Sequence, residues 1–214
     1  MSTENQPEPR RGLENELTPG ERVTPRHREP IFWAAEKWLD LYLKEGLRII
    51  PLYGAHDSNV FNAKKPGYPQ WQKYIPAQEE LLSAMDKGKM WGCVCGSVSG
   101  NLQIVDYDLY KILGSKDKAL EWRRENIPLL QSLATLVTFT PSGGFHVWLR
   151  TREPGLQTSS ISQITKSIPL EMDLVRGDGG QVVVPPSKLK DVGYYWFMDD
   201  SRIRRKRKLG IRVI

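Results

Sequence analysis

This chain of 214 residues is expected to adopt an α/β (α+β) fold, and three features carry that expectation. Helical and strand periodicities alternate along it instead of segregating into separate halves. Its apolar strands end repeatedly in polar or glycine-rich loops. A hydrophobic fraction of 39%, with seven Trp and eight Tyr, is enough for one sizeable packed domain.

Residues 1–28 are rich in Glu, Arg and Pro and hold only isolated apolar residues. They cannot bury enough surface to offset chain entropy, so a mobile tail is expected, with the domain proper over 29–200. "EPIFWAAEKWLDLYLKEG" repeats Phe32, Ala35, Trp38, Leu39, Tyr42 and Leu43 at helical spacing. Pro30 suits the helix start and Gly46 its left-handed stop. "LRIIPLYG" reads as a buried strand ended by Pro51 and Gly54, and residues 55–76 as a long polar connection containing "KKPGYPQW". "AQEELLSAMDKG" suits a short helix closing at Gly88, and "MWGCVCG" a second strand. "LQIVDYD" follows the turn "SVSGN" as a third strand, expected to form a hairpin with the second. "SKDKALEWRRENI" is a helix capped by Ser115, and "LATLVTFTPSGG" with "FHVWLR" is a strand, turn, strand unit. After a polar stretch over 151–166, "PLEMDLVRGDGGQVVVPPS" reads as two short strands around the Asp178-Gly179 turn. No internal repeat is visible.

The net charge of +6 and pI of 9.3 are compatible with a polyanionic partner. "RIRRKRK", residues 202–208, concentrates positive charge in a C-terminal segment over 201–214. Two readings stay open there: a phosphate-backbone contact, or a solvated linker to a downstream region. Cys93 and Cys95 would face one side of a strand, a poor disulfide geometry, and no His or Cys cluster completes a zinc site. They read as small strand residues in a reducing cytoplasm. No stretch approaches the roughly 18 apolar residues of a membrane span, and the first residues lack a signal peptide's apolar core. A cytoplasmic protein with no membrane partner is the expectation.

Three loop-strand junctions offer chemistry. In "IVDYD", strand alternation points Asp106 and Asp108 the same way, with Cα atoms roughly 6.5–7 Å apart. Like charges so placed need water or a cation between them. In "TPSGGFH", Ser142, Gly143 and Gly144 can turn successive backbone N–H groups on an anion, and His146 can aim a ring N–H at it. In "EMDLVRG", Asp173 ends an apolar approach and Arg176 lies three residues on. Nucleotidyl transfer uses carboxylates to hold two divalent cations roughly 3.5–4 Å apart. Three carboxylates suffice for this, and Asp106, Asp108 and Asp173 supply them, while the glycine turn, His146 and Arg176 supply donors for phosphates.

Taken in order, these segments resemble the bifunctional primase-polymerase domain of the archaeo-eukaryotic primase superfamily. The resemblance runs from about residue 33 to about 196 and includes "GLRIIPL", "KKPGYPQW", "GCVCGSVSGNLQIVDYD", "TFTPSGGFHVWL" and "MDLVRGDGGQVVVPPS". The family's three motifs fall on Asp106 with Asp108, on Ser142 through His146, and on Met172 with Asp173. The resemblance implies an N-terminal αβ module packed on a catalytic sheet like that of RNA-recognition motifs. It implies that the three aspartates bind Mg²⁺ or Mn²⁺ and that His146 touches the incoming triphosphate. Arg176 and Lys65 are further candidate phosphate contacts, and Trp71 reads as a core or lid anchor. The implied partners are single-stranded or primed template nucleic acid and dNTP or NTP substrates. Relatives add a helical priming domain and a helicase, so template-directed extension is expected here in preference to starting a primer de novo. Two departures stand out: cysteines replace the small or β-branched residues usual in "GCVCG", and little chain follows the catalytic module. Two rival functions remain, a non-enzymatic nucleic-acid-binding module and a metal-dependent nuclease.

Overall fold

The computed structural model describes residues 33–53, 63–171 and 174–214. The first helix, α1, spans Ala35–Lys44 and buries Trp38, Leu39, Leu41 and Tyr42. Its buried stripe takes Leu41 in place of Leu43, which stays exposed. Gly46 supplies the expected left-handed stop at φ +70°, and the proposed start at Pro30 lies outside the described residues. Strand β1 (Arg48–Pro51) follows, then helix α2 (Gln78–Asp86) and strand β2 (Trp91–Val94). With β7 (Gln181–Val184), these strands form an antiparallel sheet in the order β1-β2-β7.

A second sheet has six strands. Its centre is β3 (Leu102–Tyr107), paired on one side with β5 (Phe145–Arg150) and on the other with β6 (Leu174–Arg176). Beyond β5 lie β4 (Val137–Phe139) and β10 (Trp196–Phe197). The expected hairpin of β4 and β5 forms. The remaining length of β5 pairs in parallel with β11 (Arg212–Val213), and β8 (Lys188–Leu189) and β9 (Gly193–Tyr194) make a separate small hairpin.

Alternation along β3 divides the core. Val105 and Tyr107 join Phe145, Val147 and Leu149 under a helical layer made by α3 (Leu109–Leu113), α4 (Lys116–Glu125), α5 (Ile127–Ser132) and α6 (Thr158–Thr165). Leu102 and Ile104, with Trp148, face the other way into a core shared with α1, β1, β2 and β7. This is the mixed α/β architecture the periodicities predicted. Ser115 caps α4 as expected, its Oγ accepting from the Lys118 amide at 3.2 Å. Helix α6 lies inside the stretch expected to be polar, where buried Ile161 and half-buried Ile164, three residues apart, make its apolar face. The basic segment carries α7 (Asp200–Lys206), and its Ile203 and nearby Leu209 are fully buried in the shared core. Among the described residues no helix is long and apolar enough to cross a membrane.

Two expected hairpins do not form. Strands β2 and β3 enter different sheets and meet only in an isolated Gly96–Leu102 bridge. Ser99 makes the tight connection: its hydroxyl donates to the Val94 carbonyl at 2.6 Å and accepts the Arg48 amide at 2.9 Å. Strands β6 and β7 also part, the first to β3 and the second to β2. Asp178, read from sequence as a turn residue only, ties the two crossovers together by accepting from the Ser97 amide at 2.6 Å. Gly96 leaves the room for it: at φ +86°, an added Cβ would overlap the Asp178 side chain.

Candidate active site

The apolar row Leu102, Ile104 on β3 ends in Asp106, on the same face. Register then places one imidazole and one guanidinium beside that carboxylate. His146 stands directly opposite Asp106 on β5, and Arg176 reaches it from β6, opposite Ile104. Asp106 Oδ1 lies 3.5 Å from His146 Nε2, and Oδ2 accepts from Arg176 Nη2 at 3.2 Å. The positive charge that the Asp106–Asp108 pair called for thus comes in part from the protein itself.

These residues line a cavity of about 240 Å³ between the two sheets, together with Lys64, Gln181 and Tyr195. Lys64 is the lysine that sequence reading missed. Its neighbour Lys65, the expected contact, is exposed and does not line this cavity. The backbone explains the choice. The Tyr53 amide donates to the Lys65 carbonyl at 3.0 Å and Leu52 bridges Pro66, which anchors the turn through Lys64 and Lys65 beside the end of β1. Gln181 Nε2 also donates to the Lys64 carbonyl at 2.8 Å, fixing the residue from the smaller sheet. Only the doubled lysine of "KKPG" hinted at it in the sequence.

Burial lowers the Lys64 ammonium from its ordinary pKa; the carboxylates of Asp106 and Asp108 oppose that, and Arg176 adds to it. Burial likewise raises the Tyr195 phenol, with the same two aspartates contributing. Asp108 therefore shares the field of the cavity, although the strand ends before it. It is the N-cap of α3, where its Oδ1 accepts from the Lys111 amide at 3.4 Å.

The glycine turn lies beside the site but does not line the cavity. Gly143, at φ +101°, spends its amide on the Thr140 carbonyl at 3.1 Å, closing the turn. Ser142 Oγ shares a 3.1 Å hydrogen bond with Thr140 Oγ1. Gly144 abuts the backbone of Tyr107 and Leu109, the residues on either side of Asp108. Met172 and Asp173 lie outside the described residues. Among the described residues no group of three or more His, Cys, Asp or Glu could hold a metal ion. Trp71 packs half-buried against a third apolar cluster, in the anchor position expected of it.

His146 is 5% exposed, and its Nδ1 has no hydrogen-bond partner among the described residues. Burial pushes its pKa below the ordinary 6.5; Asp106 pulls it up, while Arg176 and Lys64 push it down. As pH falls, the unfolded chain therefore takes up this proton before the folded one does. The stability that the neutral ring contributes is complete above about 6.5 and is lost as pH falls below it. His146→Gln should lose less stability than the parent between about pH 7.5 and 5.5 in metal-free urea unfolding. Equal losses would show that the ring is not held neutral by its surroundings.

A sequence model described as bifunctional DNA primase/polymerase, N-terminal, matches residues 39–208. No curated protein matches the chain.

Proposed function

The chain belongs to the bifunctional DNA primase/polymerase family, whose family-level activity is nucleotidyl transfer of the primase/polymerase type, and from that premise we propose that it extends a primer on a template by using the β3–β5–β6 cavity as its nucleotide seat. One observation carries this reading: Asp106 is flanked by His146 and Arg176 on neighbouring strands, with Lys64 facing the same 240 Å³ cavity.

In the reaction the 3′-oxygen of the primer attacks the α-phosphorus of a nucleoside triphosphate. The bond from that phosphorus to the α,β-bridging oxygen breaks, pyrophosphate leaves, and the hydroxyl proton passes to solvent. Arg176 and Lys64 place fixed positive charge where the phosphates would lie. Neutral His146 offers a ring N–H without bringing a further desolvated charge. An arriving triphosphate would also restore the Lys64 ammonium toward its ordinary pKa, since a nearby anion favours the charged form. Asp106 and Asp108 present the hard oxygen donors that suit Mg²⁺ or Mn²⁺, and Asp173 is the expected third ligand. When bound, such ions lower the pKa of the attacking hydroxyl and steady the leaving pyrophosphate. The net charge of +6 and the family together favour a primed or single-stranded template as the partner.

The test is incubation with a primed template, dNTPs and Mn²⁺. Lengthened primer supports the proposal; shortened strands would favour a nuclease, and binding without product a non-enzymatic module. Lys64→Ala should raise the KM for nucleotide roughly 10- to 100-fold, the value of one charge-assisted contact, while template affinity stays within about twofold. Lys65→Ala should stay close to the parent. Equal effects of the two substitutions would remove Lys64 from the nucleotide seat.

A further inference from the structure

A second concave surface, of about 480 Å³, runs between α1 and α7 and, among the described residues, shares no lining residue with the nucleotide cavity. Lys37, Asp40, Leu41 and Lys44 supply its α1 wall, following the i, i+3, i+4, i+7 stripe of one helix face. Arg204 and Arg207 supply the opposite wall, and Trp33 closes one end. Of the seven described residues that line it, four are cationic and one, Asp40, is acidic. Among the described residues Arg204 is ion-paired with Asp200 within its own helix, and Lys37, Lys44 and Arg207 set the character of the groove. Trp33 is half-buried with its ring 5.0 Å from Trp38, so one side is anchored while the indole still lines the groove.

Arg207 adds an independent observation. It caps α7 in the left-handed region, at φ 49° and ψ 43°. Glycine takes that conformation without strain, whereas a side chain is disfavoured there. The chain thus keeps a cationic side chain at a backbone position that glycine would fill more easily, and that side chain lines the groove. Exposed Arg205, Lys206 and Lys208 extend the positive surface beside it.

We propose that this α1–α7 groove binds the phosphate backbone of single-stranded nucleic acid, apart from the nucleotide cavity. Cations spaced along a cleft, with an aromatic ring at its end, track a flexible strand and tolerate any sequence. Lys37 and Lys44 are separated by about 10 Å along the helix axis, so they meet different parts of one strand.

The test measures anisotropy of a labelled single strand of about twenty nucleotides, without metal or nucleoside triphosphate, as salt is varied. It therefore does not depend on catalysis, and a protein inactive in extension could still pass it. Lys44→Glu/Arg207→Glu should weaken binding about tenfold or more. It should also flatten the slope of log K against log salt by about 1.4, at roughly 0.7 per lost phosphate contact. The control Lys118→Glu/Arg124→Glu reverses the same charge on exposed positions of α4 and should change affinity less than about threefold. Arg207→Gly separates binding from folding: it should melt no lower than the parent yet bind several-fold more weakly. Parental affinity in the groove variants, or an equal loss in the control, would overturn the proposal. So would a duplex of the same sequence that competes as well as the single strand.

Discussion

Asp106→Asn is expected to lower primer extension by about 10³-fold or more, while the thermal transition moves by no more than a few degrees. Asparagine keeps the shape and one acceptor oxygen for Arg176, so the contact across β3 and β6 survives in neutral form. It removes the negative charge, and with it a candidate ligand oxygen for a divalent ion, a loss worth several kcal/mol of transition-state stabilisation. The fold has little at stake. The Asp106 side chain is 18% exposed and Arg176 33%, so water can still solvate the unpaired guanidinium. Asp106 also raises the pKa of both Lys64 and His146. Its neutralisation leaves the imidazole neutral and biases Lys64 further toward its uncharged form, adding a weaker nucleotide KM to the loss of turnover. Single-turnover extension beside a thermal melt separates these effects. An active Asp106→Asn protein, stable or not, would remove the carboxylate from the chemistry.

Gly144→Ala is expected to cost about 3 kcal/mol or more of stability, lowering the melting temperature by roughly 6–12 °C. An added Cβ would lie 2.4 Å from the Tyr107 carbonyl oxygen, 3.2 Å from Thr140 Oγ1 and 3.4 Å from the Leu109 amide nitrogen. Two of these are backbone atoms of the segment that runs from β3 into α3, so no rotamer change relieves the overlap. The segment would have to move, and Asp108 lies in its middle. Activity should therefore fall further than the unfolded fraction accounts for. Gly155→Ala is the comparison: its φ is +90° but, among the described residues, nothing lies within 4 Å of the new methyl. It should cost only about 1 kcal/mol, the price of the backbone conformation alone. Matching melting curves for the two variants would show that the turn yields where it touches Tyr107.

Much of the site could be read from local pattern. Asp106 lies on one face with Leu102 and Ile104 because strand side chains alternate, whatever the neighbouring strands are. His146 follows the turn by two residues because glycines there permit a tight β4–β5 connection. Less legible was the partnership of segments. "MWGCVCG" and "LQIVDYD" look like a hairpin, being apolar strands joined by a short turn, and "LVRG" and "QVVV" look the same. Each pair splits between two sheets instead. A strand edge will accept any extended neighbour with a matching apolar face, so short connections favour hairpins without imposing them. Here Ser99, bonded to Val94 and to Arg48 of β1, and Asp178, bonded across to Ser97, stabilise the alternative.

Lys64 marks the same boundary within the site. Two adjacent lysines before a proline are equivalent on paper, and only the pairing of that loop with β1 and Gln181 turns Lys64 inward and Lys65 out. The amino-acid order by itself determined the α/β class, the strand faces and the carboxylate–histidine–arginine set, because these follow from periodicity and side-chain chemistry over a few residues. Tertiary structure alone decided which sheet each strand joined, which lysine met Asp106, and that α1 and α7 would form a cationic groove. Those outcomes depend on contacts between segments up to about 170 positions apart, whose relative free energies no local window of sequence contains.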